Sequence, residues 1–453
     1  MGRRPATTFR LSADRAAEGE GRKGMGTSGP GPCTGGQPDV DRQSRALRLL
    51  VAAGGSGGHI YPALAIAHGI RQRWPRCQVL FVGARGGMEE RLVPESGFAL
   101  ETIPVRGIVR KRPLEAVAAG AFLGGAVIRA LSIVRRFRPD VILGTGGFAA
   151  GPVGLAAVFL RIPLVLQEQN IVPGVTNRML ARFAAVVAAP YAEARARFPR
   201  GTRLLVCGNP VRPELAGIDP FLARRSLGLP PGGRMVLMVA GSLGSAVFTR
   251  WFGEMIPQLR DGTLLFVAGR NHFDAAGVAA AGAAGGRDRA GAAGAEGPRV
   301  RVVPYLPDIG LGLAAADLVI CRAGAMTLAE LAVVGRASIL IPSPHVTHHH
   351  QEANAQTFAR VGAARVLAEN DLDGVRLAAV AMELLGDGET RRRMAQAARS
   401  LARPDALGRI VEAVGAVAGG QPGAARLALA DISGGAAGRP TDHAVPPHRE
   451  ERG

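Results

Sequence analysis

The sequence predicts an α/β protein with two similar domains, each built on a parallel sheet. One pattern occurs twice: an apolar strand, a Gly-rich turn and a helix begin at Arg48 and begin again at Arg234. After each start, apolar runs alternate with helical stretches, as they do in parallel sheets. The chain has 453 residues, of which 47% are hydrophobic, and this is enough for two cores.

The first domain is predicted at residues 46–212. It opens with RLLVAAGGSGGHIYPALAIAHGIRQRW, which predicts a strand, a turn at Gly54–Gly58 and a helix, and a second strand follows at Gln78–Val82. Two later apolar runs, in DVILGTGGFAAGP and RIPLVLQEQN, each end in a Gly-rich or polar loop. The domain is expected to end near Asn209–Leu215, where two prolines interrupt regular structure.

The second domain is predicted at residues 213–402, with strands in TLLFVAG, VRVVPYL, DLVICRAG and ASILIPSP. Within it, residues 274–298 are rich in Ala and Gly and are expected to form a low-complexity surface insertion. A helix within residues 403–420 is expected to pack back on the first domain. Residues 1–45 and 421–453 show no hydrophobic period and are predicted to be a disordered extension and a disordered tail.

Composition disfavours several classes of protein. The net charge is +19, but only Lys23 and Lys111 are lysines, and a bias toward arginine codons is the simplest explanation of the excess. Nucleic acid is not an expected partner because the basic stretches have almost no interleaved aromatic residues. The four cysteines have neither a pairing pattern nor metal-ligand spacing, which favours a reducing compartment and free thiols. No signal peptide and no transmembrane helix are expected.

The first Gly-rich turn is a candidate anion site. In Gly54–Gly58, backbone N–H groups can face a phosphate or diphosphate at the N-terminus of the following helix. His59 stands at the mouth of this turn and is a candidate general base or phosphate donor. A tight turn without a ligand, with His59 as a helix cap, remains the alternative.

Residues Gly144–Ala149 satisfy the dinucleotide pattern G-x-G-x-x-A after a strand, and Glu168 follows at the end of the next strand. This pattern would indicate a dehydrogenase. Against it, the fingerprint should follow the first strand of its domain and open a helix, whereas Pro152 comes almost at once.

Metal sites are also disfavoured. Adjacent side chains in His348–His350 point in different directions and have no acidic partner at a catalytic spacing. The triplets Asp39/Asp41 and Asp371/Asp373 are weak candidates for a metal-diphosphate site, and the second is more simply a helix N-cap.

Residues 106–138 combine a thirteen-residue apolar stretch, Ala116–Ile128, with basic flanks. The stretch is too short to span a bilayer, but it could lie on an anionic membrane surface and bury Leu114, Val117, Phe122, Leu123 and Ile128. An ordinary core-facing helix with a solvated basic flank is the alternative.

Residues Ala323–Asn354 predict a nucleotide pocket, because a Gly turn, a helix with one glutamate, a short strand and a polar loop follow each other there. This segment also carries the most specific motif of a known family. In order, the chain contains GGSGGHIYPALA, TGGFAAGP, QEQN, GNPVR, AGSLGS, and CRAGAMTLAE followed by HQEANA. From about Arg48 to Gly419 it resembles the MurG family, the undecaprenyl-diphospho-muramoylpentapeptide β-N-acetylglucosaminyltransferases of glycosyltransferase family 28.

This resemblance implies a GT-B fold, in which two Rossmann-like domains face each other across a cleft. It implies an inverting transfer of N-acetylglucosamine from UDP-N-acetylglucosamine to muramoyl-pentapeptide diphospho-undecaprenol, which converts lipid I to lipid II in peptidoglycan synthesis. The partners implied are this donor, the polyprenyl-diphosphate-linked acceptor and an anionic membrane surface. The location implied is peripheral, on the cytoplasmic face of the cell membrane.

The resemblance also implies residue roles. Glu330 would hold the ribose hydroxyls, Leu306 would lie beside the uracil, and His350 and Gln351 would lie near the sugar. The other positions implied are near the donor or in the cleft: Arg212, Ser242, Asn170, Ser56, Gly57, Gly58 and His59.

The chemistry of transfer adds two requirements. Inversion needs a base for the acceptor hydroxyl, for which His59 is favoured and Glu168 is second, and it needs stabilisation of the departing diphosphate. No cofactor or metal is expected because helix N-termini and Arg212 can carry that charge. Gln167 and Leu243 depart from the family pattern, which has His and Gln there. A UDP-N-acetylglucosamine 2-epimerase of the same fold and a non-catalytic scaffold for cell-wall assembly are the alternatives.

Overall fold

The described part of the chain forms two parallel sheets, each with helices on both faces. The computed structural model describes residues 46–105, 113–241, 243–259, 261–283, 298–346 and 349–420. Residues 1–45 and 421–453, which were predicted to be disordered, and most of the predicted insertion at 274–298 lie outside the described residues. Every strand pairing in the described ranges is parallel.

The first sheet has seven strands in the order β3-β2-β1-β4-β5-β6-β7. Its strands are β1 (Arg48–Ala53), β2 (Gln78–Ala84), β3 (Ala99–Ile103), β4 (Val141–Gly146), β5 (Leu164–Gln167), β6 (Val186–Ala189) and β7 (Leu204–Val206). The α-helices between them are α1 (Gly57–Arg73), α2 (Glu89–Glu95), α3 (Pro113–Phe137), α4 (Ala150–Phe159) and α5 (Val175–Leu180), and a short 3-10 helix spans Ala192–Arg197.

The second sheet has six strands in the order β10-β9-β8-β11-β12-β13. Its strands are β8 (Met235–Val239), β9 (Thr263–Val267), β10 (Arg299–Val303), β11 (Leu318–Cys321), β12 (Ser338–Leu340) and β13 (Ala364–Val366). Its α-helices are α6 (Pro220–Ser226), α7 (Ala246–Met255), α8 (Phe273–Ala283), α9 (Ile309–Ala315), α10 (Ala325–Val334), α11 (His350–Arg360), α12 (Gly374–Gly386) and α13 (Gly388–Ser400). The 3-10 helices are Pro213–Gly217, Ile256–Gln258, Arg270–His272 and Glu369–Asp371.

Each sheet is covered by helices on both faces, so its central strands are buried and almost entirely apolar. In the first half, α3, α4 and α5 cover one face and α1 and α2 the other. In the second half, α7 and α12 cover one face, and α9 and α10 the other. The prediction of an α/β fold with two parallel-sheet domains is confirmed.

The last helix, α14 (Ala406–Ala418), returns to the first half of the chain and packs against α1. Ile410 and Val414 lie in the same core as Leu49 and Ile66. The crossing of the two helices is close, because a Cβ added at Gly415 would lie 2.2 Å from the ring of Trp74. This packing fixes no domain boundary, so the seam at Asn209–Leu215 stays a prediction.

Two strands, β3 and β13, were not predicted. Both lie at the edge of a sheet, and their residues are mostly half-exposed, so neither ALETI nor ARV forms an apolar run.

Residues 273–283 at the start of the predicted insertion form α8, which packs on α7. Asp373 is confirmed as an N-cap, since its carboxylate accepts a hydrogen bond from Arg376 N. Within the described residues, no helix is both long and apolar enough to cross a bilayer.

Candidate functional site

The site lies at the carboxyl ends of the strands, where the strand order of each sheet reverses. In the first sheet this point lies between β1 and β4, and in the second between β8 and β11. Ligands of open α/β sheets bind in the crevice at such a point. Each pair of strands is followed by loops rich in Gly, and these loops carry most of the predicted site residues.

The first Gly-rich turn joins β1 to α1. Gly55 has a φ of +85°, a conformation that favours glycine, and Ser56 is the N-cap residue of α1. The loop after β4 packs directly on this turn, because a Cβ added at Gly147 would lie 1.9 Å from Gly54 O. The turn therefore presents Ser56, Gly57 and Gly58 at the N-terminus of a long helix, where anions are favoured.

The imidazole of His59 is held in one orientation from the first turn of α1. Its Nδ1 lies 3.0 Å from Thr145 O and 3.0 Å from Gln169 Oε1, and both of these atoms accept hydrogen bonds. The neutral ring therefore carries its proton on Nδ1, and Nε2 keeps its lone pair. A Cβ at Gly146 would lie 2.8 Å from His59 Nδ1, so only glycine fits below this ring.

A buried amide network fixes the acceptor that faces His59. Gln169 Nε2 donates to Thr145 O at 2.8 Å and also to Gln167, which turns Gln169 Oε1 toward the imidazole. Gln167 Nε2 donates to Asn209 Oδ1 at 3.1 Å, and Asn209 Nδ2 donates to Gln169 O at 3.0 Å. Gln167, which departs from the family pattern, is thus part of the support for His59.

Glu168 organises the loop that follows β5. It is almost fully buried, and Oε1 accepts from the backbone N–H groups of Gln169 and Asn170 at 3.0 and 2.9 Å. Oε2 accepts from Gly174 N at 3.1 Å and Asn177 Nδ2 at 2.9 Å. With both oxygens engaged in this way, Glu168 is placed to shape the loop that carries Asn170.

Glu330 is the predicted ribose ligand and lies on α10, partly buried behind the end of β11. Burial raises its pKa to about 7, which Arg212 opposes and Asp308 reinforces. A carboxyl group with a strongly perturbed pKa in a cleft is a candidate for a binding site.

Arg212, also predicted to lie near the donor, forms an ion pair with Asp308. Asp308 is the N-cap residue of α9, and its Oδ1 also accepts from Gly310 N at 3.0 Å. Leu306, two residues earlier, is buried against the core of the second half. The structure therefore brings Arg212 and Glu330 into one cluster with Asp308, which the sequence analysis did not select.

The second Gly-rich turn joins β8 to α7. Ser242 lies outside the described residues, and Leu243 is exposed. Ser245 is the N-cap residue of α7, and its Oγ accepts from Arg322 Nη2 at 3.3 Å. Arg322 also forms a partly buried ion pair with Glu369 and stacks on Phe248, and these contacts fix its hydrogen bond to the turn.

Helix α11 carries the predicted sugar contacts. His350 and Gln351 lie in its first turn, and Gln351 Oε1 accepts from Ser343 N at 2.9 Å. Asn354, one turn later and buried, crosses to the first half: its Nδ2 donates to Asn170 Oδ1 at 3.0 Å and its Oδ1 accepts from Ile171 N at 3.3 Å.

The structure thus forms two groups of predicted residues. His59, Glu168 and Asn170 surround the loops of the first sheet, and Arg212, Leu306 and Glu330 lie together at the second. Sequence reasoning missed Thr145, Gln169, Asn209, Asp308 and Asn354, although Asn209 and Asn354 stand inside the motifs GNPVR and HQEANA. Among the described residues there is no cluster of His, Cys, Asp or Glu suited to a metal. His348, from the run of three histidines, lies outside the described residues.

One argument against the dinucleotide pattern was wrong. The segment after Gly144–Ala149 does open a helix, α4, and Pro152 lies in its first turn, where proline is tolerated. The pattern nevertheless follows β4, the fourth strand, instead of the first strand of its sheet.

Comparisons with known proteins decide the family. The glycosyltransferase family 28 N-terminal domain matches residues 49–189, and the family 28 C-terminal domain matches residues 235–410. The chain belongs to glycosyltransferase family 28. A relative from Symbiobacterium thermophilum is 43% identical over 374 residues, which are 82% of this chain and 96% of the relative. A relative from Moorella thermoacetica is 41% identical, over 81% of this chain and 98% of the relative.

Both relatives are named UDP-N-acetylglucosamine--N-acetylmuramyl-(pentapeptide) pyrophosphoryl-undecaprenol N-acetylglucosamine transferase. The chain is accordingly a hexosyltransferase of peptidoglycan synthesis, as its resemblance to the MurG family implied.

Solved structures agree on the fold. The crystal structure of MurG from Acinetobacter baumannii has a TM-score of 0.64 and 29% identity, over 82% of this chain and 99% of that chain. A UDP-N-acetylglucosamine 2-epimerase has a TM-score of 0.55 at 14% identity, over 88% of this chain and 100% of that chain. At this identity the epimerase shares the fold with the family 28 transferase and nothing more is implied.

Proposed function

We propose that the protein transfers N-acetylglucosamine from UDP-N-acetylglucosamine to N-acetylmuramyl-(pentapeptide) pyrophosphoryl-undecaprenol with inversion at the anomeric carbon. The observation that carries this proposal is the orientation of the His59 imidazole, which leaves Nε2 unprotonated. The ring lies beside a turn that is suited to bind an anion. A sugar transfer to a diphosphate-linked acceptor needs a base and an anion site in this arrangement.

His59 is the proposed general base. The acceptor hydroxyl gives its proton to Nε2, its oxygen attacks the anomeric carbon of the donor, and the bond from that carbon to the β-phosphate oxygen breaks. UDP leaves with the electron pair of that bond. The transition state is oxocarbenium-like, so a base placed on the side opposite the leaving group favours inversion.

Asn170 and the loop shaped by Glu168 are proposed to line the acceptor side. The acceptor diphosphate would lie on the first Gly-rich turn, where the amides of Gly57 and Gly58 begin a 17-residue helix. Glu168 is kept as a second candidate base, although a role as base requires its carboxylate to leave five backbone and side-chain donors.

The second sheet is proposed to hold the donor. Glu330 would accept hydrogen bonds from the ribose hydroxyls, Leu306 would contact the uracil, and His350 and Gln351 would lie near the sugar. Arg212 and the turn that contains Ser242 would stabilise the departing diphosphate, since charge-assisted hydrogen bonds to phosphate are strong. We propose that transfer needs no cofactor and no metal, so that chelation with EDTA leaves the rate unchanged.

The deciding experiment follows radiolabelled N-acetylglucosamine from the UDP-sugar to the lipid acceptor. The parent protein should transfer the label, and His59→Asn should lose on the order of 10²- to 10⁴-fold in kcat with little change in UDP affinity. Absence of transfer by folded parent protein would contradict the function. Conversion of the UDP-sugar without acceptor would favour the 2-epimerase, and a melting temperature that UDP does not raise would favour the scaffold.

A membrane surface is proposed on the first half, with the protein peripheral on the cytoplasmic face. Leu123 and Ile128 on α3 are exposed, as are Phe159 at the end of α4 and Met179 on α5, and these helices pack side by side. Exposed apolar side chains among arginines suit an anionic bilayer surface. The basic residues Arg110, Lys111 and Arg112 lie outside the described residues.

Binding to vesicles tests this surface. Ile128→Glu combined with Met179→Glu should weaken sedimentation with vesicles that contain anionic lipid, because both side chains would have to bury a charge. Val278→Glu, at an exposed position of α8 in the other half, is the matched control. Equal binding of both variants and the parent would contradict the proposed surface, and reversal of charge at Arg110, Lys111 and Arg112 should also weaken binding.

A further inference from the structure

Glu89 is a fully buried carboxylate that the proposed transfer does not use. It is the first residue of α2 and lies beneath the first Gly-rich turn. Its Oε1 accepts from Ala84 N at 2.7 Å, at the end of β2, and its Oε2 accepts from Gly55 N at 3.4 Å. One side chain therefore joins the loop after β1 to the end of the neighbouring strand.

Three glycines make room for this carboxylate. A Cβ added at Gly54 would lie 2.3 Å from Glu89 Oε1, one at Gly83 would lie 2.4 Å from Glu89 Cγ, and one at Gly87 would lie 2.3 Å from Glu89 Oε2. At Gly83 and Gly87 the three nearest atoms all belong to Glu89. None of these three glycines has a positive φ that would require glycine for the backbone, so the space for the carboxylate accounts for them.

The opposite side of the turn is fixed by the loop after β4. Gly147 packs against Gly54 O, and the ring of Phe148 lies over Gly55, 3.3 Å from the position of an added Cβ. The turn is thereby held between Glu89 below and this loop beside it. Because Gly55 N faces Glu89, that N–H is not directed at a ligand, and the next amides, at Gly57 and Gly58, remain for one.

We propose that Glu89 is a positioning residue for the acceptor diphosphate: it fixes the peptide plane of Gly55 and thereby aims the amides at the N-terminus of α1. This inference rests on the proposed function, since it assigns the first turn to the acceptor. Glu89 itself does not contact substrate. A 1 Å misplacement of a bound substrate can slow a reaction about 100-fold.

Glu89→Gln is the sharpest variant, because it keeps the volume of the side chain. Of the two hydrogen bonds to Glu89, the one from Ala84 N is shorter, so Ala84 N should keep an oxygen acceptor in the variant. The NH₂ group of the new amide then faces Gly55 N, and this hydrogen bond is lost because both groups are donors. The matched control is Glu90→Gln, which removes the same charge from the neighbouring, exposed residue of α2.

Steady-state kinetics with the lipid acceptor and UDP-N-acetylglucosamine provide the first measurement. Glu89→Gln should lower kcat/KM for the acceptor on the order of 10- to 100-fold and leave KM for the donor and the affinity for UDP within about twofold. Glu90→Gln should match the parent. A donor KM that rises together with the acceptor KM, or an unchanged kcat/KM for the acceptor, would overturn the inference.

A double-mutant cycle tests the contact itself. Gly87→Ala should displace the Glu89 carboxylate and reproduce the acceptor defect, whereas it should add little in a Glu89→Ala background. Additive effects would show that Gly87 acts independently of Glu89 and would also overturn the inference.

Amide hydrogen exchange separates this inference from the proposed function, because it needs no turnover. Exchange at residues 54–58 should be faster in Glu89→Gln than in Glu90→Gln, while exchange in α7 and α10 stays unchanged. If the parent transfers no sugar, the proposed function fails, but faster exchange would still support the positioning role. Equal exchange in the two variants would overturn it in either case.

Discussion

His59 and Glu330 illustrate how the surroundings of a residue determine its chemistry. His59 is fixed by two hydrogen-bond acceptors at Nδ1, which sets the tautomer and leaves Nε2 as a base. Glu330 is partly buried and forms no ion pair within the described residues, while the nearby Arg212 pairs with Asp308. In the proposed transfer, the first arrangement prepares His59 to accept a proton, and the second presents the carboxyl group of Glu330 to the ribose hydroxyls.

The pKa of Glu330 predicts a dependence of stability on pH. Burial raises this pKa from 4.5 to about 7 on folding, so the folded chain binds the proton more tightly. The contribution of Glu330 to the free energy of unfolding is therefore full below pH 4.5 and is lost as the pH rises toward 7. Glu330→Gln, which carries no charge, should be more stable than the parent at pH 8, by up to about 3 kcal/mol.

Thermal unfolding of Glu330→Gln and the parent at pH 4.5 and pH 8 checks this. The difference in Tm should be present at pH 8 and should shrink at pH 4.5. Glu412→Gln, at an exposed position of α14, should show no such change. The variant should also bind UDP at least ~10-fold more weakly, since a charged acceptor for the ribose is lost. A Tm difference that does not depend on pH would contradict the prediction.

Some residues of the candidate site could be predicted from the sequence, and their contact partners could not. His59 was selected from its place beside the Gly-rich turn, and Glu330 and Arg212 were selected through the resemblance to the MurG family. The sequence did not point to Asp308, which lies 96 residues from its partner Arg212. It gave Glu89 no role, since the proposed role of Glu89 depends on glycines from two separate segments. These contacts join residues that are distant in sequence, so only the folded structure identifies them.

At the scale of elements, strands and turns were predicted where the local pattern decides the structure. β1 and β8 were predicted with their Gly-rich turns because apolar runs followed by glycines have few alternatives. The edge strands β3 and β13 were missed because their pairing with β2 and β12, and not their own composition, makes them strands. Helix α14 was expected, and its packing on α1 depends on glycines that no local pattern explains.

The contact between α14 and α1 predicts opposite effects for two alanine substitutions in one helix. Gly415→Ala would place a methyl group 2.2 Å from the ring of Trp74, so it should lower stability by about 1–3 kcal/mol through overpacking. Gly408→Ala, where nothing lies within 4 Å of an added Cβ, should raise stability by about 0.5–1 kcal/mol. Chemical denaturation of both variants measures the difference, and equal shifts of the same sign would contradict the packing.

At the scale of the whole molecule, Asn354 links the two sheets at the cleft. It bonds to Asn170 and Ile171 of the first half and to Ala323 O at 3.3 Å in the second. A single buried amide therefore ties the loop of the proposed acceptor side to the helix of the proposed donor side. Opening of the cleft must break these bonds.

Loss of this amide should loosen the cleft. Asn354→Ala should lower the Tm by a few degrees, because removal of buried hydrogen bonds costs about 1–3 kcal/mol. Amide exchange in residues 168–177 should become faster. The control is Gln356→Ala, at an exposed position of the same helix, which should behave like the parent. Unchanged exchange around Asn170 in Asn354→Ala would show that the link does not hold the cleft.

The chain passes between the two halves at two places that touch each other. A Cβ added at Gly208 on the outward passage would lie 2.5 Å from Cβ of Arg403 on the return passage. Because the two connections meet at Gly208 and Arg403, a rotation of the halves about this point would stretch neither connection. A slide of one half along the other would stretch both. A rotation of this kind would change the distance between His59 and Glu330 and would leave both connections intact.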